Sequence, residues 1–210
     1  MIVLHQFPPA FGLINASPFC VKLEAWLRLA GLPYRVEPLL DLEQAPKGKG
    51  PFIEDGVQRI GDSALIIEHL KRTRGVDPDA GLTPAQRGVG RAIGLMLEDH
   101  LYFVAGYNRW VEDAHWPHVR DTVLAGVPAG MQQAVRQDVH ETIRRQGLGR
   151  HSRDELYGLG VADLAALADV LGEQPFLLGE RPSTVDCIAF AFVHGELCPL
   201  FDGPLRQAVL

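Results

Sequence analysis

Three short stretches carry side chains whose chemistry could combine: Ser17-Pro18-Phe19-Cys20, Gly50-Pro51 and Asp62-Ser63. The first sits where a loop gives way to a helix. The unpaired N–H groups and the macrodipole of a helix N-terminus favour negative charge. A thiol held there ionises more readily, and a free thiol near pKa ~8.5 can drop by a unit or more. Ser17 has two readings, as an N-cap and as a hydroxyl donor to a bound thiolate. Cys20 also has two, as a reactive thiol and as a core residue, and its place on an apolar stripe favours the core. Gly50-Pro51 precedes a strand. A proline there suits an edge, and a cis bond would fix a tight turn presenting Gly50 N–H and C=O to an extended peptide. Asp62-Ser63 reads as an ordinary N-cap pair, or as a seat for a zwitterionic amino-acid end, with Ser63 facing the carboxylate and Asp62 the ammonium.

The surrounding pattern supplies elements to hold these stretches. Ile2–Phe7 reads as a buried strand, followed by a loop rich in Pro, Gly and Asn. Ser17-Pro18 opens a helix whose core stripe is Cys20, Leu23, Leu27 and Ala30, and Gly31 ends it. Tyr34–Leu40 reads as a second strand, and residues 41–50 as a loop. Two short runs around Asp55-Gly56 predict a hairpin, and Asp62-Ser63 caps a helix over Ala64–Lys71. Lys71, Arg72 and Arg74 close that helix at its C-terminal end. The order predicts a mixed four-stranded sheet with helices over residues 1–74.

Residues 75–82 read as a linker. From Thr83 to Leu210 the pattern is helical throughout. Thr83-Pro84 opens a long helix with Ile93, Leu97, Leu101, Val104 and Val111 near one face. Val161, Leu164, Ala168 and Leu171 mark another. Ser183-Thr184-Val185-Asp186 forms a capping box before Val185, Ile188, Ala189 and Phe192.

Composition narrows the function classes. The 210 residues are 47% hydrophobic and 22% charged, with net charge −6. That balance supplies no basic face for nucleic acid. No run approaches the ~20 apolar residues of a membrane span. Three widely spaced cysteines make no disulfide framework, so a reducing, cytoplasmic setting without a secretory leader is expected. His115-Trp116-Pro117-His118 lacks the company of a metal site, and Pro117 disrupts a helix there, so these histidines are expected on the surface or in a loop. Trp110, Trp116, Tyr102 and Tyr107 are expected to pack in the core, and Glu98-Asp99 to lie on a solvated helix face.

Taken in order, Ser17, Pro51 and Asp62-Ser63 resemble the glutathione transferase superfamily along nearly the whole chain. The stretches Ser17–Ala25, Gly48–Gly56, Leu97–Tyr102 and Phe176–Ala189 are most similar to its failed-axon-connections and metaxin-like subgroup. The resemblance implies an α/β thioredoxin-like N-terminal domain followed by an all-α C-terminal domain, a cis Pro51, and glutathione bound as co-substrate between the domains. By that likeness Gly50 would pair with the cysteinyl part, Asp62 and Ser63 would hold the γ-glutamyl end, and Ser17 would stabilise a thiolate attacking a small electrophile. The same likeness implies a second role, as a non-catalytic binding or scaffold protein, and a possible homodimer. No metal, nucleic acid or membrane insertion is implied. A thiol reductase built on Cys20 is the third and least supported reading, since Cys20 lies three residues past the usual nucleophile.

Overall fold

The computed structural model describes all 210 residues. Strands β1 (Ile2–Gln6), β2 (Tyr34–Pro38), β3 (Phe52–Asp55) and β4 (Gln58–Gly61) form one sheet in the order β2-β1-β3-β4. β1 runs parallel to β2 and antiparallel to β3, and β3 and β4 form the hairpin. Helix α1 (Pro18–Leu29) connects β1 to β2, and α2 (Ser63–Arg74) follows β4. This is the mixed sheet predicted for the thioredoxin-like domain. Leu4, Leu23, Trp26, Leu27, Ile53, Ile66 and Leu70, each without solvent exposure, form its core.

Residues beyond α2 are helical: α3 (Pro84–Met96), α4 (Tyr102–Gly106), α5 (Trp116–Val123), α6 (Ala129–Gln146), α7 (Arg153–Leu171), α8 (Thr184–Glu196) and α9 (Pro204–Val209). π-helical turns at Leu97–Leu101 and Tyr107–Val111 flank α4. No helix is long and apolar enough to cross a membrane.

Packing divides the chain into two compact units, residues 1–92 with 173–195, and residues 93–172 with 196–210. The change from mixed to helical structure at residues 75–82 is therefore not where the contacts divide. In the first unit, Gly75 ends α2 in the left-handed conformation (φ 67°), which glycine adopts without a Cβ clash. The chain is then pinned by Asp79. Its carboxylate accepts from Lys71 Nζ at 2.6 Å, Thr184 N at 2.8 Å and Thr184 Oγ1 at 2.6 Å. Trp26 Nε1 donates to the same Thr184 hydroxyl at 3.1 Å. Lys71 thus forms an ion pair with the linker, and Arg74 pairs with Asp55 of the hairpin, so both bond specific partners near the helix end. Half of the predicted capping box of α8 is present: Asp186 Oδ2 accepts from Ser183 N at 2.8 Å and Ser183 Oγ at 2.7 Å, while the Asp186 N–H donates to Ser183 O and not to its hydroxyl.

In the second unit Ile93, Leu97, Leu101 and Val104 are buried as expected. The face of α7 differs from the predicted stripe. Leu156, Tyr157, Gly160, Leu164 and Leu167 are buried, while Ala168 and Leu171 are exposed. The helix starts ahead of the predicted stripe, at a capping box of Ser152 with Glu155. Gly160 is required by close packing, because a Cβ there would lie 2.8 Å from both Val104 and Leu205. Pro117 also differs from expectation, opening α5 within its first turn, where the missing N–H costs nothing. His115 and His118 are half-buried against the Phe201 ring, and His115 Nδ1 lies 2.7 Å from Asn108 O. His115 lies in the turn before α5, as a loop residue, whereas His118 belongs to the helix. Of the four aromatics expected in the core, Trp116 is buried while Tyr102 is 36% exposed.

Candidate functional site

All five predicted site residues belong to the first unit, and strand register brings Gly50-Pro51 and Asp62-Ser63 to one end of the sheet. Phe52 pairs with His5 near the end of β1 and with Gly61 at the end of β4. Gly50-Pro51 therefore enters the sheet beside the point where β4 delivers Asp62-Ser63 to α2. The Gly50-Pro51 bond is cis. Phe7, one residue past β1, joins this end to Ser17. Its side chain lies 3.3 Å from where a Gly50 Cβ would stand, and its backbone bonds the Cys20 thiol.

Gly50 has a packing reason. A Cβ there would meet Leu39 Cδ2 at 2.8 Å, inside any normal contact. Leu39, Ala45 and Phe52 form a small buried cluster with Phe7, and this cluster fills the space that a larger residue 50 would need.

Ser17 occupies the N-cap position of α1 with extended backbone (φ −95°, ψ 118°), but its side chain makes no capping bond. Its hydroxyl instead hydrogen-bonds the Cys20 sulfur. Cys20 has no solvent exposure. Burial pushes its thiol up to about 11 against the opposing bonds from Phe7 and Ser17. Of the two readings of Cys20, the core one holds, because a thiol that stays protonated and enclosed is a poor nucleophile. Ser17 is half-buried and keeps a surface.

At the other helix start, Asp62 Oδ1 accepts from Ala64 N at 2.9 Å and Leu65 N at 3.2 Å. Asp62 is exposed and has φ 83°, strained for a residue with a side chain. Ser63 is buried, and its N–H is a first-turn donor that the helix itself cannot satisfy. The arrangement offers a carboxylate and an N–H side by side.

Sequence reasoning missed Asn15. It is 3% exposed, donates from Nδ2 to Phe7 O at 2.6 Å, and accepts the Ser17 N–H at 3.0 Å. An Asn two residues before a Ser in a turn-rich loop was the available signal. Farther along α1, the Glu24 carboxylate accepts from Gln6 (2.7 Å), Arg28 (2.7 Å) and Tyr34 (2.9 Å). Burial opposes its ionisation, yet these three donors hold it below the ordinary carboxylate range. A cavity of about 370 Å³ opens beside Gln6, Glu24 and the loop after β1, and none of the five predicted residues lines it.

In the second unit, Asp99 is exposed and Glu98 half-buried. His100 Nδ1 lies 2.5 Å from Asp163 Oδ2, a pair not singled out from sequence. No group of three His, Cys, Asp or Glu side chains is placed to hold a metal ion.

Known proteins share this architecture. The family model of the glutathione S-transferase N-terminal domain matches residues 18–115, and that of the C-terminal domain matches residues 160–210. Failed axon connections of Drosophila melanogaster is 35% identical over 91% of this chain, and the chain spans about half (49%) of that protein's length. Isoprene-epoxide–glutathione S-transferase of Rhodococcus sp. (strain AD45) is 31% identical over 97% of this chain and 88% of its own. Metaxin-3 of Xenopus laevis is 23% identical over the whole chain and 70% of its own length. Among solved structures, beta-etherase LigF from Sphingobium sp. strain SYK-6 superposes with a TM-score of 0.61 at 19% identity, covering 94% of this chain and 84% of that one. Glutathione S-transferase III in its apo form also gives 0.61, at 17% identity over 99% and 84%. With both domains matched in order and a transferase 31% identical along 88% of its length, the chain belongs to the glutathione S-transferase family.

Proposed function

We propose that this protein binds glutathione and activates its thiol for attack on a small electrophile. The observation that carries the reading is the convergence of two helix N-termini and the Gly50-Pro51 edge at one end of the sheet. A tripeptide laid along Gly50 pairs its backbone with the entry to β3. Its α-carboxylate meets the Ser63 N–H, and its ammonium meets Asp62. Its sulfur then lies at the start of α1, where the Ser17 hydroxyl donates to it.

The thiol proton leaves to solvent and the thiolate remains. Lowering a thiol from ~8.5 to ~6.5 raises its ionised share at pH 7 from about 3% to about three-quarters, while nucleophilicity falls only in part. The sulfur forms a C–S bond as the electrophile's leaving bond breaks. With an epoxide, as the name of the Rhodococcus relative indicates, the C–O bond opens and the oxygen takes a proton from solvent. Ser17 acts by aiming a preorganised donor at the charge, with no covalent role.

A binding or scaffold role without turnover is the second reading, and it is supported by the 35% identity to Failed axon connections. Retention on immobilised glutathione, followed by conjugation assays with a generic aryl halide and a small epoxide, separates the two. Turnover that depends on Ser17 supports catalysis. Retention without turnover supports the scaffold, and the absence of both sinks the glutathione reading.

A further inference from the structure

We propose that Asn15 is a positioning residue that sets where Ser17 presents its hydroxyl, and through it the acidity of the bound thiol. The inference rests on the reading of Ser17 given above and adds a residue that acts without touching substrate.

The need for such a residue follows from the loop. Residues 7–17 leave the sheet, pass two prolines, turn at Phe11 (φ 58°) and Gly12 (φ 73°), and return to α1. The turn is closed by the Leu13 N–H donating to Ala10 O at 2.9 Å. The Ser17 side chain makes no capping bond to the helix backbone, and its hydroxyl reaches only the Cys20 sulfur. Its N–H precedes the helix and has no helical acceptor. Asn15 supplies that acceptor, and with its other end grips the Phe7 carbonyl. The amide orientation is fixed, because turning it over would set N–H against N–H and oxygen against oxygen. Phe7 also abuts Gly50. One buried side chain therefore spans from the peptide that seats the thiol's activator to the residue beside the edge that would seat the tripeptide. A small misplacement of a donor can cost on the order of 100-fold in rate, so this brace should register in chemistry as well as in stability.

The test compares Asn15→Ala and Asn15→Asp with the unaltered protein and with Ser17→Ala. Asn15→Asp keeps the size and the acceptor for Ser17 N–H but loses the donor to Phe7 and brings negative charge, which covers the case in which Asn15→Ala fails to fold. Both substitutions should move the pH profile of kcat/KM to higher pH and lower it at pH 6.5 by roughly 10- to 100-fold. The KM for glutathione should change less than about threefold, since neither contact is to substrate. In the Ser17→Ala background, Asn15→Ala should cost less than about twofold more, because its route of action is already gone. Amide exchange at Ser17 should speed up by at least roughly 10-fold in Asn15→Ala and stay slow in Asn15→Asp.

An unmoved pH profile, a full multiplicative loss on top of Ser17→Ala, or a Ser17 amide still protected in Asn15→Ala would each overturn the proposal. Loss of melting temperature alone would mark Asn15 as a loop brace and nothing more. If the unaltered protein conjugates nothing, the Ser17 reading is what fails, and the exchange measurement still decides whether Asn15 holds that peptide.

Discussion

The Ser17 hydroxyl hydrogen-bonds the Cys20 sulfur at the start of α1, yet only Ser17 keeps a solvent-facing surface. The helix end that favours a thiolate thus holds a native thiol that burial keeps protonated, beside a hydroxyl that is only half-buried.

Ser17→Ala should lower conjugation by on the order of 100-fold, the usual cost of one preorganised donor. Its stability cost should stay at or under the ~1 kcal/mol of a working N-cap, because no capping bond is lost and the only bond removed is the one to the Cys20 sulfur. Steady-state kinetics and a denaturant midpoint check both. Full activity in the variant would remove Ser17 as the thiol activator.

Cys20 and Cys187 should resist alkylation in the native protein. Burial lifts their thiols to about 11 and about 12. At pH 7.5 a thiol of pKa 11 is about 0.03% ionised. Mass spectrometry after iodoacetamide should show both unmodified until denaturant is added. Cys20→Ser should lower melting temperature and leave conjugation unchanged, whereas lost conjugation in a folded variant would revive a thiol-based mechanism.

Asp62→Asn should preserve stability within about 0.5 kcal/mol, since Asn also caps and tolerates positive φ. Its glutathione dissociation constant should rise roughly 10-fold with the loss of the charge facing the ammonium. Titration calorimetry reads the affinity, and an unchanged constant would assign Asp62 to capping alone.

Gly50→Ala should destabilise by about 1–3 kcal/mol through overpacking on Leu39. In a Leu39→Ala background the same change should cost close to nothing, because the clashing methyl is absent. Additive losses in the double variant would point to backbone strain instead.

Asp79→Asn should show a pH-dependent deficit. Burial works against the Asp79 charge, but Lys71 and Thr184 hold its folded pKa below 3.8. A carboxyl depressed by folding contributes stability that is complete above its unfolded value, ~3.9, and lost as pH falls through the folded value. The melting-temperature gap between Asp79→Asn and the unaltered protein should therefore be level from pH 5 to 8 and narrow below about pH 4. A gap that widens in acid would contradict the assignment.

Much of the candidate site was legible because its signals are local. Pro18 at the first helical position, the Asp55-Gly56 hairpin and the Asp62 cap each act within a few residues, and each lies where the pattern put it. Asn15 was not legible, because its value depends on Phe7 eight residues back being brought alongside by the loop. The packing reason for Gly50 was not legible either, because it depends on Leu39 arriving where a Cβ would stand. On α7 the apolar positions allow more than one inward face, and contact with Val104 and Leu205 at Gly160 selects it.

The strands, the hairpin, the helix starts and the order of Ser17, Gly50-Pro51 and Asp62-Ser63 follow from the amino-acid order, since propensity, capping and turn chemistry are short-range. Long-range packing is what seals Cys20 while leaving Ser17 half-buried, sets Asn15 against Ser17, and joins α8 mostly to the sheet's unit, with Cys187 in its core and Thr184 locked to Asp79. Those outcomes depend on burial and on partners as far as 158 residues away, which chain folding alone brings within reach.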